Sequence, residues 1–337
     1  MTSHVERKPI LERIEAARDS RVLLYVTGDR AGMETQISPE VGDLFVDHLD
    51  AIWDAGPPTK RLTLIMHTRG GNTASAWQIV NLLRTFCDDL EVIVPVRAHS
   101  AGTLICLGAN RVLMTKQASL GPIDPSLTDP LGPLIPGAPP HQRAPVSVEA
   151  VQGFLDVVMD QLKVGDAAAL AHVWNSLSEK IHPLVLGQIF RTRSQIRTLA
   201  KRLLNYQQLD DAKKEEIISF LCSESGSHDH TINRREARAM GLAVENPTVE
   251  LYGDIKALFA SVSEELKLRL PYSPDTELGA SQTAMYSLPR ALIESTAHGS
   301  HQFTSEGSLS RVTVQGPMGP QTGLQDNRTF EAWRKAK

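Results

Sequence analysis

The sequence predicts an α/β domain with a mostly parallel sheet. Short apolar runs alternate with amphipathic stretches at helical spacing through residue 115, a pattern that is typical of α/β folds. Strands are predicted at 21–28, 61–67, 90–96 and 111–115. Because loops at the carboxyl ends of parallel strands commonly carry function, we expect the site there.

Helices are predicted before and between these strands. A charged amphipathic helix spans about 5–19, and the next one starts with Ser38 as its N-cap and Pro39 in its first position. A third helix covers 73–87. The stretch "AGTLICLGA" at 101–109 is too apolar for an exposed helix, so we expect it to be buried.

The chain is organised differently beyond the fourth strand. Segment 125–146 is rich in proline and glycine, which predicts an ordered active-site loop or a mobile flap. Helices follow at 147–162 and 182–204, and a short helix runs from Arg234 to a C-cap at Gly241.

Three parts of the chain follow from this pattern. Residues 1–245 are predicted to form the main domain, and 246–316 a helix-plus-strand extension. The polar, Gly/Pro-rich segment 317–337 is predicted to be a flexible tail.

Composition restricts the classes of function. The 337 residues are 41% hydrophobic, which is enough for a sizeable core. The net charge of −4 does not favour nucleic acid or an anionic membrane as a partner. No stretch approaches the ~18 apolar residues of a membrane span, and the charged start lacks the apolar core of a secretory signal. Cys87, Cys106 and Cys222 are scattered, which suits a reducing compartment. We expect a soluble cytoplasmic protein without metal or cofactor.

Two turns carry the candidate chemistry. "HTRGG" at 67–71 closes one predicted strand and "VRAHSAG" at 96–102 closes another. Glycine lets a substrate carbonyl approach the backbone closely, and the N–H groups of Gly71 and Ala101 could form an oxyanion hole worth about 3–4 kcal/mol per donor. The residues assigned to the oxyanion hole and substrate backbone are Gly70, Gly71, Ala101 and Gly102.

Ser100 lies in the second of these turns, directly before the buried helix. A serine at a strand-to-helix turn can act as a nucleophile towards an acyl carbon. Serine is also a favoured N-cap, so both interpretations stay open on these residues alone.

Three segments together resemble the Clp-fold serine peptidases: "TRGGNTASAWQIVNLLR", "AHSAGTLICLGANRVLM" and "HDHTINRREARAMGL". The chain is more closely similar to the serine dehydrogenase proteinase family, which is related to signal peptide peptidase A. The resemblance covers about 20–245. It implies a ClpP/crotonase-like α/β spiral of ββα units with a long helical handle, and assembly into rings.

The resemblance also implies site residues, with one departure. It supports Ser100 as the nucleophile, and it aligns Asp229 with the aspartate of the Clp triad. Where Clp peptidases carry the triad histidine, this chain has Ile123, or Asp124 after a one-residue slip. Because neither is a neutral imidazole, Asp229 has no histidine there to orient, and a capping or surface aspartate is the alternative interpretation.

A general base must then come from elsewhere. Signal peptide peptidase A uses a Ser-Lys dyad, and Lys180 occupies the corresponding place before the long predicted helix. Its apolar neighbours Ile181, Leu184 and Val185 could desolvate the amine and lower its pKa. His182 is the next candidate. The alternatives are a solvated lysine and a capping or core histidine.

Other ionisable residues fit the role less well. His99 adjoins Ser100, and consecutive side chains at a sharp turn diverge. We interpret His67 as a buried structural histidine, and a metal site at His228 and His230 is disfavoured because no carboxylates or cysteines cluster with them. Lys163 ends an amphipathic helix and is predicted to lie on the surface.

Three functions fit the sequence. The first is a cytoplasmic serine peptidase, a homo-oligomer acting on peptides or proteins, with a separate unfoldase chain because no phosphate-binding P-loop is present. The second is a crotonase-type acyl-CoA enzyme, whose paired N–H groups hold a thioester enolate. The third is a non-catalytic assembly module. The basic helix at 191–202 is interpreted as a solvated face.

Overall fold

The computed structural model divides into two compact units. The first contains Met1–Leu120 and Ile232–Lys337, and the second contains Gly121–Thr231. The second unit is therefore an insertion in the chain of the first. The structure describes residues 3–55, 60–123, 126–139, 141–224, 230–316 and 319–336.

The strands of the described residues are β1 Arg21–Thr27, β2 Arg61–His67, β3 Asp89–Val94, β4 Arg97–Ala98, β5 Arg111–Met114, β6 Ser119–Leu120, β7 Ser126–Leu127, β8 Val146–Ser147, β9 Ile232–Asn233, β10 Val244–Glu245, β11 Thr283–Ser295, β12 Gly299–Gly316 and β13 Gly319–Lys335. The α-helices are α1 His4–Arg18, α2 Val41–Asp54, α3 Thr73–Phe86, α4 Ala101–Leu107, α5 Val148–Asp156, α6 Ala167–Lys180, α7 Pro183–Leu203, α8 Asp211–Ser219, α9 Arg234–Ala239, α10 Val249–Glu265 and α11 Pro274–Leu278.

The first unit is built on an eight-stranded sheet in the order β10-β5-β3-β2-β1-β11-β12-β13. The strands from β10 to β1 pair in parallel, and β11, β12 and β13 add an antiparallel extension at β1. A small second sheet, β4-β6-β9, follows the carboxyl ends of the parallel strands. The predicted α/β fold with a mostly parallel core is confirmed.

The two faces of the sheet bury different helices. On one face, Val26, Ile65 and Leu292 pack in a cluster with Leu11 of α1 and Ile255 of α10; we call this the α10 face. Because successive strand residues point to opposite faces, Met66 lies on the other face. There an ideal Cβ on Gly102 of α4 would lie 3.8 Å from Met66 Cε; this is the α4 face.

The second unit is helical and has its own core. Val146, Val151, Val185 and Ile189 are buried together between β8, α5 and α7, and α7 is the long helix that the sequence predicts. Within the Pro-rich loop, β7 pairs with β8, and Leu134 bridges Arg143. The loop is thus partly ordered by short strand pairing. No helix in the described part of the chain is long and apolar enough to cross a membrane.

The start of α2 differs from the prediction. Helix α2 begins at Val41 with Glu40 at the N-cap, so Ser38 is not the cap. The reason is a tertiary backbone pairing, because the N–H of Ile37 donates to the carbonyl of Gly70 at 2.8 Å and holds this segment extended.

The predicted tail also differs. Gly319–Lys335 form β13, which pairs with β12 along most of its length, and Phe303 packs against Trp333 with ring centroids 5.8 Å apart. Backbone pairing and one aromatic contact order this polar segment, where its composition predicted a flexible tail. The segment 246–316, predicted as an extension, belongs to the first unit, where it continues the main sheet and covers its α10 face.

Candidate active site

Ser100 has a backbone conformation that is rare for a residue with a side chain. Its φ is 51° and its ψ is −117°, and its side chain caps no N–H of α4. An N-cap serine has extended dihedrals and bonds the second or third helical N–H. Conformations of this kind cost about 1–3 kcal/mol and concentrate at functional sites, and a strained serine at a strand-to-helix turn is the geometry of a nucleophile elbow. The backbone therefore favours the nucleophile over the cap.

Backbone hydrogen bonds on both sides of Ser100 hold the strained turn. The N–H of His99 donates to the carbonyl of Thr68 at 3.1 Å. On the helix side, the N–H of Gly102 donates to the carbonyl of His99 at 2.9 Å, and that of Leu104 to Ser100 at 3.2 Å. The turn is fixed to β2 on one side and to α4 on the other.

The Gly70 turn packs directly on the serine. Gly70 has φ 114°, and an ideal Cβ there would lie 2.7 Å from Ser100 Cβ and 3.2 Å from the amide nitrogen of Ala101. Contacts under 3.0 Å are not tolerated by real Cβ atoms. Only glycine fits between the two turns.

Two backbone N–H groups beside the serine are available to a ligand. The carbonyl of Gly70 accepts from Ile37, and the carbonyl of Ile37 accepts from the N–H of Asn72 at 2.8 Å. Because a trans peptide directs its N–H opposite to its carbonyl, the N–H of Gly71 points away from Ile37. Neither this N–H nor that of Ala101, the first residue of α4, has an acceptor among the described residues. These are the two donors that the sequence assigns to an oxyanion hole.

Thr68 links both turns, although nothing in the sequence around it predicts this role. Its Oγ1 accepts from the Gly70 N–H at 2.9 Å and from Thr27 Oγ1 at 2.7 Å. Its own N–H donates to the carbonyl of Arg97 at 3.0 Å, and its Cγ2 would lie 2.4 Å from a Cβ on Gly102. Thr68 belongs to the "HTRGG" turn, but its role becomes visible only when this turn packs against the turn that carries Ser100.

Neither of the two histidines near these turns forms a hydrogen bond with the Ser100 side chain. His99 Nε2 lies 2.9 Å from Ser119 Oγ, and burial, followed by the charge of Arg97, lowers the pKa of His99 to about 4. His67 lies on the α10 face with Phe259, whereas Thr68 lies on the α4 face. Strand alternation therefore directs the His67 imidazole away from the serine turn.

The predicted bases lie in the second unit. Lys180 is the last residue of α6 and is exposed. Leu184 of α7, which we expected to help desolvate it, is 68% exposed, and α6 itself buries none of its residues in this chain. His182 is the N-cap of α7, and its Nδ1 accepts from the Leu184 N–H at 3.2 Å, which is the capping alternative.

The remaining predicted positions fall in several places. Asp229, Asp124 and His228 lie outside the described residues. Ile123 is buried in the second unit, where its N–H donates to the carbonyl of Leu221 at 2.9 Å. Among the described residues, no group of three or more His, Cys, Asp or Glu is arranged to hold a metal ion.

Comparison with known proteins identifies the chain's relatives. A sequence profile of the family described as ClpP-like SDH-type serine proteinase matches residues 1–138. An uncharacterized protein of Methanocaldococcus jannaschii is 30% identical over 233 residues, which cover 67% of this chain and 68% of that protein. A second protein of the same organism is 26% identical over 191 residues, and the match spans about half of its length (53%) and 56% of this chain.

Two solved structures are similar at low identity. A mutant of a membrane-bound stomatin-specific protease, 1510-N, is 16% identical with a TM-score of 0.41, covering 70% of this chain and 85% of that one. ClpP1 from Listeria monocytogenes is 14% identical with a TM-score of 0.37, covering 70% of this chain and 98% of that one. With the profile match and the first archaeal relative, the chain belongs to the family of ClpP-like SDH-type serine proteinases.

Proposed function

We propose that this protein is a serine peptidase in which Ser100 attacks the carbonyl carbon of a peptide bond. The observation that carries the proposal is the strained backbone of Ser100, packed on Gly70 beside two N–H groups that have no acceptor within the described residues. A structural serine would gain nothing from that strain, whereas a nucleophile gains exposure and fixed direction.

The proposed reaction is an acyl transfer through Ser100. Ser100 Oγ bonds to the carbonyl carbon while its proton passes to a base, and the N–H groups of Gly71 and Ala101 stabilise the negative oxygen. The base then protonates the leaving amine as the C–N bond breaks and the acyl-enzyme forms. Water then attacks the acyl-enzyme, and a proton of this water passes through the base to Ser100 Oγ as the ester bond breaks and the acid is released.

Lys180 is our first choice for the base and His182 the second. A Ser-Lys dyad is what the family resemblance implies, and Lys180 precedes the long helix α7 as that resemblance requires. A lysine acts as a base near neutral pH only when it is desolvated. Because Lys180 is exposed in the single chain, the proposal requires that another protein surface cover it.

Assembly of several copies would supply such a surface. The second unit carries most of the exposed large hydrophobic side chains among the described residues, and exposed apolar surface of this kind marks interaction sites. We expect a cytoplasmic homo-oligomer that contacts through this unit and takes peptides or unfolded proteins as substrates, with any unfolding done by a separate chain. These side chains are Leu131, Leu134, Ile135, Phe154, Val157, Met159, Leu162, Trp174, Leu184 and Tyr206.

The test is labelling with a fluorophosphonate probe, with the adduct located by mass spectrometry. We expect an adduct on Ser100 in the native protein and none in Ser100→Ala. Lys180→Ala should abolish labelling while circular dichroism shows an intact fold, whereas Lys201→Ala, a change at an exposed lysine of α7, should leave it unchanged. Labelling that survives Lys180→Ala moves the base to His182 or to another residue.

Two other outcomes would overturn the peptidase. If the correctly folded protein is not labelled, the interpretation that remains is a non-catalytic assembly module. Retention of acyl-CoA by the purified protein, without acylation of Ser100, would indicate a crotonase-type enzyme.

A further inference from the structure

A cavity of about 370 Å³ lies in the first unit on the α10 face, the face opposite to the Ser100 turn. It is lined by Asp29, just beyond β1, by His67 at the end of β2, by Arg97 of β4 and by Phe259 of α10. Its volume is within the range of small-molecule sites, about 300–1,000 Å³. The proposed peptidase chemistry uses none of these side chains.

His67 is a buried polar group whose hydrogen bonds are incomplete. It is 2% exposed, and its Nδ1 has no hydrogen-bond partner among the described residues. Its Nε2 lies 3.4 Å from Asp29 Oδ1, a contact too poorly aligned for a hydrogen bond. Buried polar atoms are normally satisfied. His67 therefore adds an unsatisfied polar side chain to the lining of the cavity.

The charges around the cavity favour an anion. Asp29 is neutralised by Arg97, whose Nη1 lies 3.0 Å from its Oδ2. Lys256 and Arg269 also line the cavity, and neither forms an ion pair with a described residue. Two cations without an ion-pair partner among the described residues therefore stand at a site whose lining carboxylate, Asp29, is already paired with Arg97 and lies 3.7 Å from Arg69.

The walls of the cavity favour an apolar body. Phe259 places its ring 4.7 Å from the His67 ring, and Ile255, Leu268 and Pro95 complete an apolar lining. An aromatic or branched aliphatic group would bury its surface there. Inorganic anions would leave this surface uncovered.

We propose that this cavity binds a small organic acid, with its apolar body against Phe259 and its carboxylate between Lys256 and Arg269. The site is separate from the proposed peptidase site and does not depend on that activity. The proposal of a binding cavity and the proposal of a peptidase can therefore each fail without the other.

Phenylacetate is the probe, because it combines one ring with one carboxylate. Binding to the full-length protein is measured by isothermal titration calorimetry, beside phenylacetamide, which lacks the charge, and inorganic phosphate, which lacks the ring. We expect phenylacetate to bind at least tenfold more tightly than either.

Variants locate the site. The double variant Lys256→Gln/Arg269→Gln changes only exposed side chains, so it should fold, and it should weaken phenylacetate binding at least tenfold. Lys8→Gln, a change at an exposed lysine of α1, and Ser100→Ala should bind as the native protein does. No binding of phenylacetate, equal binding of phosphate, or unchanged affinity in the double variant would each overturn the proposal.

Discussion

Gly70 and Ser100 are packed so closely that a single added carbon atom would separate them. An ideal Cβ on Gly70 would lie 2.7 Å from the Cβ of Ser100 and 2.9 Å from the carbonyl oxygen of His99. Gly70 also lies between two hydrogen-bonding partners, Thr68 Oγ1 on its N–H and the N–H of Ile37 on its carbonyl. The turn after β2 and the turn before α4 therefore act as one structural unit.

Gly70→Ala should disable the site by displacing the serine turn. The new methyl group must displace the serine turn, and φ 114° is strained for any L side chain. We expect the rate of fluorophosphonate labelling at Ser100 to fall at least ~100-fold, the scale of losing an oxyanion donor. Gly187→Ala in α7, where nothing lies within 4 Å of the new Cβ, is the control and should label normally. A normal labelling rate in Gly70→Ala would show that the reactivity of Ser100 does not depend on its packing against the Gly70 turn.

Thr68→Val tests the hydroxyl that joins Thr27 to the Gly70 turn. The substitution keeps the shape but leaves the Gly70 N–H and the Thr27 hydroxyl without their partner, at a fully buried position. We expect a loss of about 1–3 kcal/mol in the free energy of unfolding and slower labelling of Ser100.

Thr68→Ser is the matched control for this prediction. It retains Oγ1 and removes only the methyl group that packs on Gly102, so it should cost about 1 kcal/mol and keep most of the labelling rate. Equal loss of labelling in both variants would assign the effect to packing rather than to the hydrogen bonds.

The sequence predicts the parallel core of the fold because its signals are local. The strands at 61–67 and 111–115 and the buried helix after Ser100 follow from apolar periodicity, which burial between two layers imposes. The start of α2 and β13 were not predicted, since Ile37 is ordered by pairing with the backbone of Gly70 and Gly319–Lys335 by pairing with β12. Composition does not record such pairing.

The candidate site was likewise predicted from the sequence only in part. The glycine turn and Ser100 were identified from spacing and residue type. The positive φ of Ser100 was not, because serine is equally acceptable as an N-cap. Thr68 was missed because its role arises only when two turns 30 residues apart in sequence meet.

Arg7 should be one of the most costly residues to replace. Its side chain is fully buried, its Nε donates to Glu294 Oε2 at 2.9 Å, and Glu265 lies on its other side. Although burial opposes ionisation, the hydrogen bonds from Arg7, together with His4, whose Nδ1 lies 3.5 Å from Glu294 Oε2, lower the pKa of Glu294 to about 2. Arg7→Met leaves that charge buried without its guanidinium, so we expect a loss of about 3–5 kcal/mol in urea unfolding.

Arg13→Met gives the comparison for Arg7. Arg13 pairs with Asp254, but its side chain is 54% exposed, and exposed pairs contribute less than about 1 kcal/mol. A similar loss in both variants would mean that the burial of the Arg7 pair has no energetic consequence.

His48 should make the fold sensitive to acid. It is fully buried, with Nδ1 2.9 Å from Ser295 Oγ and Nε2 3.0 Å from His301 Nδ1, and His298 packs on its ring. Burial, and then the charges of His298 and His301, lower the pKa of His48 to about 3, while Glu294 opposes the shift. Between about pH 6.5 and 3 the unfolded chain therefore binds the proton that the folded chain excludes. The contribution of His48 to the free energy of unfolding should therefore be constant above about pH 6.5. It should fall by up to ~1.4 kcal/mol per pH unit as the pH is lowered from there towards 3.

His48→Gln should remove that part of the pH dependence. Glutamine offers a donor and an acceptor to Ser295 and His301 but does not titrate. The free energy of unfolding in urea, measured at intervals from about pH 7 to about pH 5, should therefore fall less steeply in this variant than in the native protein. His172→Gln changes an exposed histidine of α6 and should keep the native slope. If His48→Gln keeps that slope as well, the acid sensitivity arises at other groups, because His48 is the titrating group that this variant removes.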